Sequence, residues 1–187
     1  MAIILPTPKD RSLIFSKTVN NDSVAELTKT LLDISTDDEY ISKIYNVHDI
    51  AYKPQPIKIH IDSYGGSVYQ GLGLLNIMKN CTTPIHTIVT GCAMSCGFLI
   101  SISGHKRFAY QHSTFMYHQV ASAEFGKLKD IEDGVIETKR LQHIIEQHTI
   151  SQTKIPIAKL TEVYNKKEDW HMDSRQALKL GVIDAIL

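Results

Sequence analysis

Three side chains suited to acyl transfer stand in the order Ser95, His118, Asp169. Ser95 lies in Gly91-Cys92-Ala93-Met94-Ser95-Cys96-Gly97, inside a run over 92–103 that carries no charged residue. Its neighbours two places away, Ala93 and Gly97, let the backbone approach closely on both sides. A nucleophile on a sharp strand-to-helix turn needs that approach, and a helix starting there aims its first amides and positive dipole end at the serine oxygen. A serine among small residues is also how a buried helix packs, so this stretch alone decides nothing. His118 ends the alternating run Thr114-Phe115-Met116-Tyr117-His118. An imidazole there can act as a general base, because its protonation equilibrium lies near neutrality. Asp169 precedes Trp170-His171-Met172, with Glu168 beside it as the rival acid. A carboxylate at this point could hold the second ring nitrogen of a histidine and stabilise the imidazolium. The other histidines read as exposed or hydrogen-bonded residues.

Ser63-Tyr64-Gly65-Gly66-Ser67 breaks an apolar strand. The glycine pair allows outward-facing amides, which can receive a phosphate or a developing oxyanion. A tight strand-to-helix turn uses the same glycines. The segment lacks the G-x-G-x-x-G spacing of a dinucleotide-binding loop. The order Ser, His, Asp differs from that of α/β-hydrolases, chymotrypsin and subtilisin.

The elements that must position these groups follow from periodicity. Residues 12–16 read as a strand. Ser23 and Glu26 suggest a capping box for a helix with Val24, Leu27, Leu31 and Ile34 on one face. Residues 35–56 read as a surface connection with some helix. Strands are expected at 57–62, 84–90, 106–110 and 114–118, and a helix over 68–80. The longest helix is expected over 126–149, with Leu128, Ile131, Val135, Leu141 and Ile144 or Ile145 facing inward. Pro156 can open a short helix reaching Tyr164, and Asp173 with Gln176 suggests a cap for a last helix ending at Gly181. Strands alternating with helices at this spacing predict an α/β fold with βαβ crossovers. No repeat or linker divides the chain, so one domain over 1–187 is expected, with 1–11 as a loose arm.

Composition narrows the function classes. The chain has 187 residues, 43% hydrophobic and 21% charged, with 20 basic and 20 acidic side chains. A net charge of zero offers no basic groove for nucleic acid and no polybasic membrane patch. Cys81, Cys92 and Cys96 suit reduced thiols in a cytoplasm, and no second Cys/His pair with zinc spacing accompanies them. Residues 1–6 are too short and uncharged for a signal peptide, and no apolar run is long enough to span a membrane.

Four segments carry a family resemblance: Ile61-Asp62-Ser63-Tyr64-Gly65-Gly66-Ser67-Val68, Thr90-Gly91-Cys92-Ala93-Met94-Ser95-Cys96-Gly97, Phe115-Met116-Tyr117-His118-Gln119, and residues 168–184 beginning Glu168-Asp169-Trp170. In this order and spacing the chain resembles the ClpP family, the proteolytic subunits of the Clp protease, over roughly 12–187. The resemblance implies a ClpP/crotonase-like spiral of repeated β-β-α units, with a protruding handle over about 119–150. It implies Ser95 as nucleophile, His118 as base and Asp169 as orienting acid. Gly66 and Cys96 are implied as the backbone donors of an oxyanion hole. The implied activity is serine endopeptidase cleavage of unfolded polypeptides, without metal or organic cofactor. The implied assembly is a homo-oligomeric heptameric ring, stacked in pairs as a tetradecamer and served by a Clp ATPase.

The chain departs from the family pattern at Tyr64, where proline is usual, and at Val120-Ala121-Ser122-Ala123, where Pro-x-Gly-Gly is usual. Two alternatives accompany the peptidase reading. One is a ring subunit or scaffold without activity. The other is a crotonase-type acyl-CoA enzyme, which gives no reason for Ser95, His118 and Asp169 to coexist.

Overall fold

The computed structural model describes residues 11–187. Most of the expected arm, 1–10, therefore lies outside the described residues. Arg11 does not belong to a loose arm: it is buried and fixed to Asp38 by two 2.6 Å hydrogen bonds.

The elements run β1 (Ser12–Phe15), α1 (Asn21–Val47), β2 (Ile57–Ser63), α2 (Val68–Asn80), β3 (Ile85–Met94), α3 (Cys96–Ser101), β4 (Lys106–Ala109), β5 (Thr114–Tyr117), α4 (Leu128–Gln152), α5 (Ile157–Lys166), β6 (Trp170–Asp173), α6 (Ser174–Lys179) and β7 (Ala185–Ile186). The sheet follows the order β1-β2-β3-β4-β7 with parallel neighbours, and β5 joins β3 in parallel before pairing with β6. This is a mixed α/β fold with helical crossovers between parallel strands, as both the periodicity and the resemblance imply.

β2 shows why the sheet forms. Ile57, Ile59 and Ile61 are buried while Lys58 and Asp62 are exposed, so alternate side chains face opposite sides. Ile57, Ile59, Ile61 and Ile85 join Leu31, Leu74, Met78, Phe98 and Ile100 in the core. α2 packs against both α1 and α3. β3 is longer than expected. Its first half pairs with β4 through His86–Val89, and its second half pairs with β5 through Cys92–Met94. That division brings the ends of β3 and β5 together.

Several boundaries differ from expectation. The N-cap of α1 is Asn20, and Ser23 is the reciprocal partner: the Ser23 N–H donates to Asn20 Oδ1 at 2.9 Å, and the Asn20 N–H to Ser23 Oγ at 3.1 Å. Glu26 instead pairs with Lys17 at the surface. α1 continues through Val47, so only 48–56 connects it to β2. Its apolar pattern fades after Ile34 because inward positions carry paired polar groups. Ser35 Oγ meets Thr82 Oγ1 at 2.8 Å, and Asp38 accepts from Arg11, Thr83 and Tyr52.

α1, with 27 residues, is longer than α4, with 25. α4 buries Leu141 and Ile145 as expected, but Leu128 is 75% exposed and Val135 43% exposed. The first half of α4 therefore leaves the core. Its second half is fastened to the segment after α3, where His148 Nε2 and Ser103 Oγ are 2.9 Å apart. Burial lowers the protonation range of His148. Asp173 caps α6, accepting from the Gln176 N–H at 2.7 Å. β6 was not foreseen; its four residues sit in the stretch read as a lead-in to that cap. Among the described residues, no helix is long and apolar enough to cross a membrane.

Candidate active site

Ser95 occupies the step between β3 and α3, with φ 53° and ψ −124°. A positive φ is unusual for a serine and costs on the order of 1–3 kcal/mol, held in place by its surroundings. Its N–H donates to the Met116 carbonyl at 2.9 Å, extending the contact between β3 and β5 beyond Met94. β5 ends one residue later, and His118 follows. Parallel pairing of β3 with β5 thus carries His118 to the end of the strand that presents Ser95. The two residues, with Cys96, line one cavity of about 20 Å³ together with Val68, Leu99, Tyr117, Gln119 and Ile145. Two roomier cavities, of about 310 and 280 Å³, lie along β1 and α1 and beside His148, and neither includes these groups. The small cavity is the chemically relevant one, because it gathers the hydroxyl and the imidazole.

β5 then pairs antiparallel with β6, matching Met116 with His171 and Tyr117 with Trp170. The paired register ends there, and His118 and Asp169 are the next residues beyond the ends of β5 and β6. Residues opposed across an antiparallel pair project to the same face. Asp169 is exposed and does not line the cavity. α5 is capped by Lys167 in a left-handed conformation, and Glu168 donates its N–H to the Val163 carbonyl at 3.1 Å. That C-terminal cap turns the chain toward β6, with Asp169 immediately before its first residue, Trp170. Among the described residues, no hydrogen bond joins the side chains of Ser95, His118 and Asp169.

The glycine turn lies directly against Ser95. A Cβ on Gly65 would come within 2.8 Å of Ser95 Cβ and 2.9 Å of the Cys96 nitrogen, and its φ is +97°. Gly66, with φ +148°, bridges to Val19; a Cβ there would strike the Val19 carbonyl. The turn is pinned by Val19 N–H to Gly65 O and Ser67 N–H to Val19 O, both 2.8 Å. Ser63 Oγ donates to Lys17 O at 2.6 Å from beneath.

The Cys96 N–H is the first of α3, where amides have no partner within the helix. Burial pushes the Cys96 thiol up to about 11, and the Gly66 N–H offsets only part of this. Sequence reasoning singled out Gly66 and Cys96 but missed that Gly65 makes the close approach. It also missed Tyr117, whose ring packs edge-on against Phe98 with centroids 5.9 Å apart. Among the described residues, no group of three or more His, Cys, Asp or Glu side chains could hold a metal ion.

A family model described as Clp protease matches residues 7–187. The chain belongs to the Clp protease family. Among curated relatives in the Clp protease family, the ATP-dependent Clp protease proteolytic subunit 2 of Bacillus licheniformis is 32% identical over 181 residues, covering 96% of this chain and 87% of the relative. A proteolytic subunit 2 from Parasynechococcus marenigrum is 26% identical over 181 residues, covering 96% of this chain and 84% of its own. The proteolytic subunit of Deinococcus radiodurans is 32% identical over 135 residues, covering 71% of this chain and 65% of the relative.

Proposed function

We propose that this Clp-family chain is a serine endopeptidase using Ser95, His118 and Asp169. The observation that carries the reading is the strand pairing: β3 with β5 brings Ser95 and His118 to one cavity, and continuing the β5–β6 register by one residue would bring Asp169 opposite His118. In the proposed reaction His118 takes the Ser95 Oγ proton as the oxygen attacks the peptide carbonyl. The Gly66 and Cys96 amides receive the oxyanion, a contribution on the order of 3–4 kcal/mol per donor. His118 then gives its proton to the departing amine as the C–N bond breaks. A water molecule repeats the sequence on the ester, losing a proton to His118, and Ser95 is restored as the acid leaves. Asp169 would hold the imidazole and stabilise its cationic form. No step calls for a metal or organic cofactor.

The substrate would be unfolded polypeptide, processed in the cytoplasm inside a ring of identical chains. The resemblance implies a heptamer, stacked as a tetradecamer and fed by a Clp ATPase. Phe125, Leu128 and Ile136 support association of copies, since they are 92%, 75% and 63% exposed around the first half of α4. An apolar face of that kind is costly to leave in water and suits a subunit contact.

A second reading, an assembled ring without activity, draws on the hydrogen bonds that, among the described residues, the triad side chains do not make with one another. Sedimentation combined with peptide hydrolysis separates the two. The peptidase reading expects an assembled protein that cleaves small peptides and a Ser95→Ala protein that assembles but does not cleave. An assembled wild-type ring without hydrolysis favours the silent reading. Hydrolysis undiminished by Ser95→Ala refutes the assignment of the nucleophile.

A further inference from the structure

The cavity beside His148, of about 280 Å³, lies away from Ser95, between the last turns of α2 and α4 and the segment after α3. Lys79, His105 and His148 line it, and among the described residues no acidic side chain does. The hydrogen bonds around it decide which ring atoms stay free. Ser103 Oγ gives its only proton to the Leu99 carbonyl at 2.7 Å. In the 2.9 Å contact between Ser103 Oγ and His148 Nε2 the ring therefore donates. Neutral His148 then keeps a lone pair on Nδ1, which makes no hydrogen bond among the described residues. Burial, with the Lys79 charge behind it, outweighs the Leu99 carbonyl and holds His148 below its ordinary value of 6.5, so the ring is neutral at pH 7.5. His105 Nδ1 accepts the Ile85 N–H at 3.0 Å, which leaves the ring proton on Nε2 as a free donor. Lys79 makes no ion pair among the described residues. Unpaired carbonyls at the ends of α2 and α4 would repel an anion, but carbonyls in both last turns are engaged. Asn80 Nδ2 donates to Asn76 O at 2.8 Å, Ser151 Oγ to His148 O at 2.7 Å, Thr153 Oγ1 to Thr149 O at 2.7 Å, and Arg107 to Gln152 O.

We propose that this cavity binds inorganic phosphate as hydrogenphosphate, with Lys79 and His105 Nε2–H donating to its oxygens and its hydroxyl donating to His148 Nδ1. A single water needs only about 10–15 Å³ of such space, so about 280 Å³ admits a tetrahedral oxyanion with water around it. Lys79 supplies the charge, and the two imidazoles supply direction. Sulfate has the same shape and charge but no proton at pH 7.5, so it sets an oxygen lone pair against that of Nδ1. The dianion of a phosphate monoester lacks the proton too. One neutral hydrogen bond corresponds to roughly a five- to tenfold difference in affinity. None of these residues lines the Ser95 cavity, so the site stands independently of the peptidase reading.

The test is isothermal titration calorimetry of the full chain at pH 7.5 and two temperatures, with phosphate, sulfate and glycerol phosphate as titrants. Wild type is expected to bind phosphate about five- to tenfold more tightly than either of the others. Lys79→Gln, an exposed substitution, is expected to weaken phosphate binding about three- to fivefold. His148→Phe is expected to erase the preference for phosphate over sulfate, and Ser95→Ala to bind as wild type does. No binding of phosphate, sulfate or the monoester binding as tightly as phosphate, or a Lys79→Gln protein with unchanged affinity, overturns the inference. If His148→Phe fails to fold, wild type and Lys79→Gln decide alone by the same criteria. Selective phosphate binding by a wild type that cleaves no peptide supports the site while counting against the peptidase reading.

Discussion

Replacing Gly65 by alanine perturbs the nucleophile without substituting any residue of the triad. The new Cβ would stand 2.6 Å from the Met94 carbonyl oxygen, 2.8 Å from Ser95 Cβ and 2.9 Å from the Cys96 nitrogen, where ordinary contact begins at 3.4 Å. The Met94-Ser95-Cys96 backbone must therefore give way by about 0.5–0.8 Å, or the glycine turn must retreat by as much. The turn is pinned through Val19, so much of the shift falls on Ser95 and the Cys96 amide. A misplacement of about 1 Å can cost some 100-fold in rate, so a loss of roughly 30- to 100-fold in kcat/KM is expected. The positive φ adds strain on the order of 1–3 kcal/mol, which lowers Tm by several degrees. The assay is hydrolysis of a small fluorogenic peptide well below Tm, with circular dichroism to confirm the fold. A folded Gly65→Ala protein with the wild-type kcat/KM would refute the close approach of the turn to Ser95.

Gly73, exposed in α2 with nothing near its hypothetical Cβ, provides the opposite case. Gly73→Ala should raise stability by about 0.5–1 kcal/mol in denaturant unfolding, with peptide hydrolysis unchanged. Asp38→Ala leaves the buried Arg11 without its counter-charge, so thermal unfolding should show a loss of about 3–5 kcal/mol. Burial pushes the Asp38 carboxyl up, but hydrogen bonds from Arg11, Thr83 and Tyr52 outweigh it and hold the group below its ordinary value of 3.8. Its contribution is complete above that value and is lost as pH falls through the lower folded one; the stability of Asp38→Asn should therefore fall less steeply below pH 3.8 than that of wild type. Burial pushes the Cys92 and Cys96 thiols up to about 11, so mass spectrometry after brief iodoacetamide treatment at pH 8 should find both unmodified in the folded protein.

The α/β pattern was legible because most core strands and helices carry their burial in apolar periodicity, as Ile57, Ile59 and Ile61 do in β2. It failed where burial is polar. Ser35 and Asp38 are inward-facing and paired, so the second half of α1 reads as surface until the Arg11 and Thr83 contacts are seen. It failed in the opposite sense at Leu128 and Val135, apolar residues that helical spacing assigns to a core although this single chain leaves them in solvent. The candidate site residues could be singled out from motif order, but their arrangement depends on sheet register. The pairing of Tyr117 with Trp170 puts Asp169 and His118 just beyond the adjoining ends of β6 and β5. The Gly65 contact is a three-dimensional fact with no local sequence signal.

Active-site labelling with a fluorophosphonate, followed by peptide mapping, tests the central assignment most directly. The assignment predicts a single adduct on Ser95, lost in Ser95→Ala and sharply slowed in His118→Ala. An adduct on another residue, or labelling that persists in Ser95→Ala, would contradict it.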